Sequence, residues 1–185
     1  VRRGINLISI PIWGDGCGSL PSMKSLKGLV VSLIVTAGGA GFSAKAPGTV
    51  GTLVGVLIVF LTRDWSGLAF AGFSLALFLS GWWASLEWSR NTGLSDSQRI
   101  VIDEVLGYFV ATAFLPRDPM VLGVQFLLFR FFDVLKPPPV RQIDQWGKRF
   151  PIGPLQSLGV ILDDLAAGFL ALCVGLVLRH FQVIS

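Results

Sequence analysis

Charge is scarce in this sequence. Of 185 residues, 15 are Lys or Arg and 11 are Asp or Glu, so only 14% are charged, against about 25% in an ordinary soluble domain. A soluble domain of this size buries roughly 70% of its chain surface and clothes the remainder in polar groups. A chain that is 52% apolar with so few charges has no such skin. The soluble globule is therefore excluded, and lipid is the expected solvent. Cysteine is nearly absent too: Cys17 and Cys173 build neither a disulfide framework nor a zinc cluster. The single histidine, His180, stands at the far end of the last apolar segment, which excludes a phosphohistidine route. Cys173 and Arg179 have the spacing of a cysteine-phosphatase loop, but they lie in an apolar helical run that turns them to different faces. The paired-aspartate nucleophile motif is missing, as is the Asp-Gly-x-x-Ala-Arg signature of CDP-linked head-group transfer. The first residues lack a continuous apolar core, so no signal peptide is expected.

What is present is apolar sequence in long runs. Trp65 to Leu86 is 22 residues without a charge, Ala46 to Thr62 and Gly28 to Ala44 are 17 each, and Leu165 to Leu178 is 14. At about 1.5 Å per helical residue the longest crosses a bilayer core. The pattern predicts helices over about 49–62, 66–87, 97–115, 120–136 and 158–180. Ser95 or Asp96 is the expected cap of the third, and Pro137-Pro-Pro139 stops the fourth. Residues 137–157 read as polar and turn-rich. The stretch 28–44, with Gly38-Gly-Ala-Gly41, fits either a span or a re-entrant segment. Residues 1–27 read as a poorly ordered basic arm carrying Arg2, Arg3, Lys24 and Lys27, and 28–185 as one membrane domain. The fold class expected is all-α: a polytopic membrane helical bundle with four to five embedded helices.

Alternating the helix ends between two sides sorts the cations. Lys45, Arg90, Arg99, Arg130, Lys136, Arg141, Lys148 and Arg149 fall on one side, and Arg63, Arg117 and Arg179 on the other. The positive-inside bias makes the first side cytoplasmic. Eight of the 11 acids fall there as well. Five of those are embedded in apolar sequence near helix ends: Asp103 and Glu104, Asp133, and Asp163 and Asp164. Carboxylates converging at one membrane depth repel unless cations balance them. Arg130 and Lys136 do not suffice if a phosphate must also bind. All-oxygen donors without His or Cys suit a hard divalent ion, Mg²⁺ above Zn²⁺. The alternative for each acid is an interfacial helix-end charge facing water. A second constellation, Gly38 to Thr52, has five glycines, Lys45 and hydroxyls just before a helix. Free N–H groups there make a phosphate cradle, although glycines in membrane segments also serve helix packing.

Four blocks, Lys45-Ala-Pro-Gly-Thr-Val-Gly-Thr-Leu53, Ile100-Val-Ile-Asp-Glu-Val-Leu-Gly107, Phe129-Arg-Phe-Phe-Asp-Val-Leu-Lys-Pro-Pro-Pro-Val140 and Gly159-Val-Ile-Leu-Asp-Asp-Leu-Ala-Ala-Gly168, resemble the phosphatidylglycerophosphatase A family in order and spacing. They span about residues 36–180. Two details depart from the family pattern: the three prolines Pro137-Pro-Pro139 where Lys-Pro-x-Pro-Ile is expected, and Pro154-Leu-Gln-Ser-Leu-Gly159 in place of a Gly-rich turn. The resemblance implies a Mg²⁺-dependent phosphatase acting on phosphatidylglycerophosphate, a phospholipid, in a bacterial inner membrane with its site at the cytoplasmic helix ends. It would yield phosphatidylglycerol and phosphate for phospholipid biosynthesis, and no nucleic-acid partner is expected. Residue by residue, Asp103, Glu104, Asp163 and Asp164 become metal ligands, and Asp133 a further ligand or the base. Asp103, Asp133 and Asp164 are the catalytic acids. Lys45, Gly48, Thr49, Arg130 and Lys136 bind substrate, and Arg141 is a weaker phosphate contact. The rival reading is a membrane transporter or ion-pathway protein with intramembrane carboxylates, which predicts internal hydropathy repeats that the sequence does not display.

Overall fold

The structure is a computed structural model that describes residues 25–94 and 97–184. The regular structure of the described residues is helical, with no strand among them. The helices are α1 (Leu26–Val35), α2 (Pro47–Leu61), α3 (Gly67–Thr92), α4 (Ile102–Ala111), α5 (Pro119–Leu135), α6 (Val140–Gly147) and α7 (Pro154–His180), with one 3₁₀ turn at Ala40–Phe42. Boundaries follow local chemistry. Ser66 caps α3 by accepting from the Ala69 N–H, and Gly93, at φ 73°, ends it in the left-handed region. Asp118 accepts from the N–H groups of Met120 and Val121 while Pro119 opens α5, and α7 likewise opens on Pro154.

Among the described residues, α3 and α7, of 26 and 27 residues, are long and apolar enough to cross a membrane. Only 17% of the apolar window of α3 is buried inside the protein, whereas the core helix of a soluble protein is mostly covered. Its Leu68, Leu75 and Leu79 are exposed, as are Leu53, Leu57 and Leu61 of α2, and Leu127, Phe131 and Val134 of α5. Apolar surface on this scale is what a lipid-facing bundle presents.

Several boundaries differ from the sequence expectation: α3 runs on to Thr92 rather than about 87, and α4 ends at Ala111 rather than about 115. α1 starts at Leu26, so Lys27 is helical and pairs with Glu87 at 2.7 Å; residues 1–24 of the expected arm lie outside the described residues. The expected Ser95 or Asp96 cap lies outside them too. α4 starts late, at Ile102, where Val101 gives its N–H to the carbonyl of Val35 at the end of α1, and 97–100 form a turn. The stretch 137–157 contains a true helix, α6, and α7 begins at Pro154 rather than near 158.

The centre of the bundle is the α4–α7 contact. It is close because Gly107 and Gly168 carry no side chains there: a Cβ on Gly107 would lie 2.6 Å from the carbonyl oxygen of Asp164, and one on Gly168 would fall onto the carbonyl of Gly107. A second glycine pair brings α6 onto α7, where a Cβ on Gly147 would lie 2.8 Å from the Cα of Gly159. Asp103 and Glu104 precede Gly107 by about one turn, Asp163 and Asp164 precede Gly168 similarly, and Asp144 precedes Gly147. The glycine contacts therefore bring three acidic segments to one end of the bundle.

Candidate active site

At that end lies a pocket of about 630 Å³. Its walls come from the start of α2 (Ala46, Pro47, Gly48), the 97–100 turn, the first turn of α4, the last turns of α5, α6, and the first half of α7. Six carboxylates line it: Asp103, Glu104, Asp133, Asp144, Asp163 and Asp164. Three cations face them: Arg130, Lys136 and Lys148.

The pairing is uneven. Arg130 Nη1 donates to Asp133 Oδ2 at 2.5 Å. Lys136 Nζ donates to Asp163 Oδ2 at 2.5 Å and to Asp144 Oδ1 at 2.8 Å, and Lys148 Nζ donates to Asp144 Oδ2 at 2.9 Å. Asp103, Glu104 and Asp164 form a separate group in which one carboxylate oxygen from each lies within 4.8 Å of the others. Asp103 and Asp164 are buried, and Glu104 Oε2 is buried without a hydrogen-bond partner. At such separations like charges repel by roughly 3–4 kcal/mol per pair at an effective dielectric near 20. An orphaned buried carboxylate oxygen, an all-oxygen donor set and a surplus of negative charge together fit a hard divalent cation. The three carboxylates could hold one; Asp163, engaged by Lys136, stands beside them.

Gly48 closes the pocket from α2. A Cβ there would collide with Glu104 Oε1 and lie 3.4 Å from Arg130 Nη1. Only a glycine lets the first turn of α2 come this close to the carboxylates, and Thr52 secures that turn by donating its hydroxyl to the Gly48 carbonyl at 2.8 Å.

The structure thus brings together Gly48, Asp103, Glu104, Arg130, Asp133, Lys136, Asp163 and Asp164. It leaves Lys45, Thr49 and Arg141 outside the pocket lining, with Lys45 and Arg141 exposed. Sequence reasoning missed Asp144 and Lys148, although their i,i+4 spacing is the signal of a helical ion pair. Burial raises the Asp144 carboxyl, but hydrogen bonds from Lys136 and Lys148 outweigh it and hold the group below the usual carboxylate range. Burial lowers the Lys136 ammonium, but Asp144 and Asp163 outweigh it and hold Lys136 well above its ordinary value.

The family profile of phosphatidylglycerophosphatase A matches residues 33–179. This chain belongs to the phosphatidylglycerophosphatase A family. It is therefore a phosphatase, and the lining of its pocket falls within the matched segment. The phosphatidylglycerophosphatase A of Haemophilus influenzae is 29% identical over 155 residues, covering 83% of this chain and 91% of the relative. That of Escherichia coli K12 is 28% identical, covering 75% of this chain and 77% of the relative. A Bacteroides thetaiotaomicron protein provisionally named a phosphatidylinositol-3-phosphatase is 30% identical, covering 74% of this chain and 85% of the relative. No solved structure matches the chain.

Proposed function

We propose that this phosphatase removes the terminal phosphate of phosphatidylglycerophosphate, giving phosphatidylglycerol and inorganic phosphate. The setting would be phospholipid biosynthesis at the cytoplasmic face of a bacterial inner membrane that the chain crosses several times. The observation that carries the reading is the carboxylate-rich pocket at one end of a lipid-exposed helical bundle, in a chain of this family. A lipid phosphate keeps its tails in the bilayer and offers its head group at the depth of helix ends.

Asp103, Glu104 and Asp164 would hold Mg²⁺, with Asp163 adjacent. Bound there, the ion would polarise the phosphoryl oxygens and make a water acidic enough to serve as nucleophile. Asp133, fixed by Arg130, orients the attacking water and accepts its proton. Water oxygen bonds to phosphorus, the bond from phosphorus to the glycerol oxygen breaks, the leaving oxygen takes a proton from solvent water, and Asp133 returns its own proton to solvent. Arg130 and Lys136 balance charge that builds on the transferred group. The N–H groups of the first turn of α2, around Gly48, face the phosphate, and Lys45 and Thr49 act as outer contacts.

Purified protein in detergent is expected to release phosphate from phosphatidylglycerophosphate, to stop when a chelator removes divalent ions, and to recover with Mg²⁺. Phosphatidylinositol 3-phosphate and phosphatidic acid serve as comparison substrates. No phosphate from any lipid under any divalent metal would end the catalytic reading in favour of an ion pathway. Preference for the inositol lipid would transfer the function to that substrate.

A further inference from the structure

Three of the side chains lining the carboxylate pocket are polar and uncharged: Ser97, Gln98 and Gln156. Gln98 is exposed, and the Ser97 hydroxyl serves its own turn, accepting from the Arg99 N–H at 3.4 Å. Gln156 differs from both. Only 3% of it is exposed, yet it lines the pocket. It stands in the first turn of α7, seven residues before Asp163. Seven residues are close to two helical turns, so Gln156 shares a face with Asp163 and Asp164. It lies roughly 10 Å from Asp163 along the helix axis. Ser157, buried and outside the lining, donates its hydroxyl to Gln156 Oε1 at 3.4 Å and orients the amide. The segment 154–159 also replaces the Gly-rich turn of the family pattern, and a glycine would present no side chain to the pocket.

We propose that Gln156 reads the head group: its amide hydrogen-bonds the free hydroxyl of the glycerol that joins the two phosphates of phosphatidylglycerophosphate. The inference rests on the proposed function and adds a specificity-determining residue to it. The carboxylates and cations of the pocket act on phosphate and metal, and they would treat any lipid phosphate alike. A hydroxyl is neutral and both donates and accepts. An amide, with an N–H donor and a carbonyl acceptor, matches it in either sense. A site built to hydrogen-bond a substrate hydroxyl rejects an analogue that lacks it, because a buried polar group then loses a partner.

The test compares kcat/KM for phosphatidylglycerophosphate and for the same lipid phosphate with propane-1,3-diol in place of the head-group glycerol. The two substrates differ by that hydroxyl alone. The parent is expected to favour the natural head group about tenfold, the scale of one hydrogen bond between uncharged groups. In Gln156→Ala and in Gln156→Met, which keeps the length of the side chain and removes the amide, the ratio should fall to near one through loss on the natural substrate only. Each ratio is internal to one protein, so a general loss of folded enzyme cancels from it. Ser157→Ala, outside the lining, should narrow the ratio about threefold by releasing the amide, and it serves as the variant if neither change at 156 folds. A parent ratio near one, an unchanged ratio in Gln156→Ala or Ser157→Ala, or a ratio kept in Gln156→Met would overturn the assignment, the last by showing that shape alone is read. An equal loss on both substrates at 156 would overturn it as well, leaving Gln156 a packing residue. A parent that releases no phosphate from phosphatidylglycerophosphate ends the proposed function and this assignment with it. A parent that releases phosphate without regard to the hydroxyl ends this assignment alone.

Discussion

Gly107 of α4 and Gly168 of α7 meet backbone to backbone, and the space between them admits no Cβ. The contact sets the separation of the two helices that carry Asp103, Glu104, Asp163 and Asp164. Gly168→Ala must push α4 and α7 apart. The expected cost is about 1–3 kcal/mol, as for other overpacked interiors. A lowered thermal midpoint in detergent and a fall in phosphate release should appear together. A variant that melts and turns over like the parent would show that this contact does not position the acids.

The group formed by Asp103, Glu104 and Asp164 is expected to carry the divalent ion. Asp164→Asn and Glu104→Gln keep shape and remove charge. Each should weaken Mg²⁺ binding measured by calorimetry and cut turnover on the order of 100-fold or more, since a bound cation supplies several kcal/mol of charge stabilisation. Helicity and membrane insertion should persist. Near-normal turnover in Asp164→Asn would remove that residue from the site.

Asp144 is held below the ordinary carboxylate range by Lys136 and Lys148, against the opposing effect of burial. A carboxyl with a lowered folded value contributes stability above its unfolded value, about 3.9, and loses it as pH falls through the lowered folded value. The thermal midpoints of the parent and Asp144→Asn should therefore differ at neutral pH and converge below about pH 4. A constant gap across that range would mean that Asp144 acts through shape rather than charge. Lys136, held above its ordinary value, should stay charged throughout this window and add nothing to the slope.

Gly48→Ala tests the approach of α2 to the carboxylates. The added methyl would collide with Glu104 Oε1, so either α2 retreats or the carboxylate turns. Activity is expected to fall at least tenfold, on the scale of about 1.4 kcal/mol in the barrier. The Mg²⁺ requirement should shift to higher concentration. Unchanged metal dependence would separate Gly48 from the acids it touches.

The sequence was legible wherever a residue's cost is high. Carboxylates inside apolar helix ends are expensive, and Asp103, Glu104, Asp133, Asp163 and Asp164 could be gathered from that cost alone. All five line one pocket. The end of α5 just before Pro137 was legible for a similar reason, since no helix interior tolerates Pro137-Pro-Pro139. What stayed hidden depends on packing between segments far apart in the chain. α6 has only eight residues, too few for a clear periodic signal, and it is held by the Gly147–Gly159 contact. Asp144 and Lys148 were lost with it. Lys45 lies in a family-like block, yet its side chain is exposed and outside the lining, a matter of direction that no motif encodes. The late start of α4 goes with the hydrogen bond from Val101 to Val35, a tertiary contact.

The lengths of the lipid-facing helices bear on the membrane around the site. α2 and α5, with 15 and 17 residues, rise only about 22 and 26 Å, against a hydrocarbon core of about 30 Å. Both carry exposed leucines, and α2 begins and α5 ends at the pocket. In a bilayer, lipids against such a short wall would relieve the mismatch by thinning. A thinned annulus would lower the head groups next to the carboxylates, and the proposed lipid substrate would reach the site by sliding sideways rather than by being lifted out. Turnover should accordingly be less sensitive to lipid extraction cost than to host-bilayer thickness, and it should fall as the host acyl chains are lengthened.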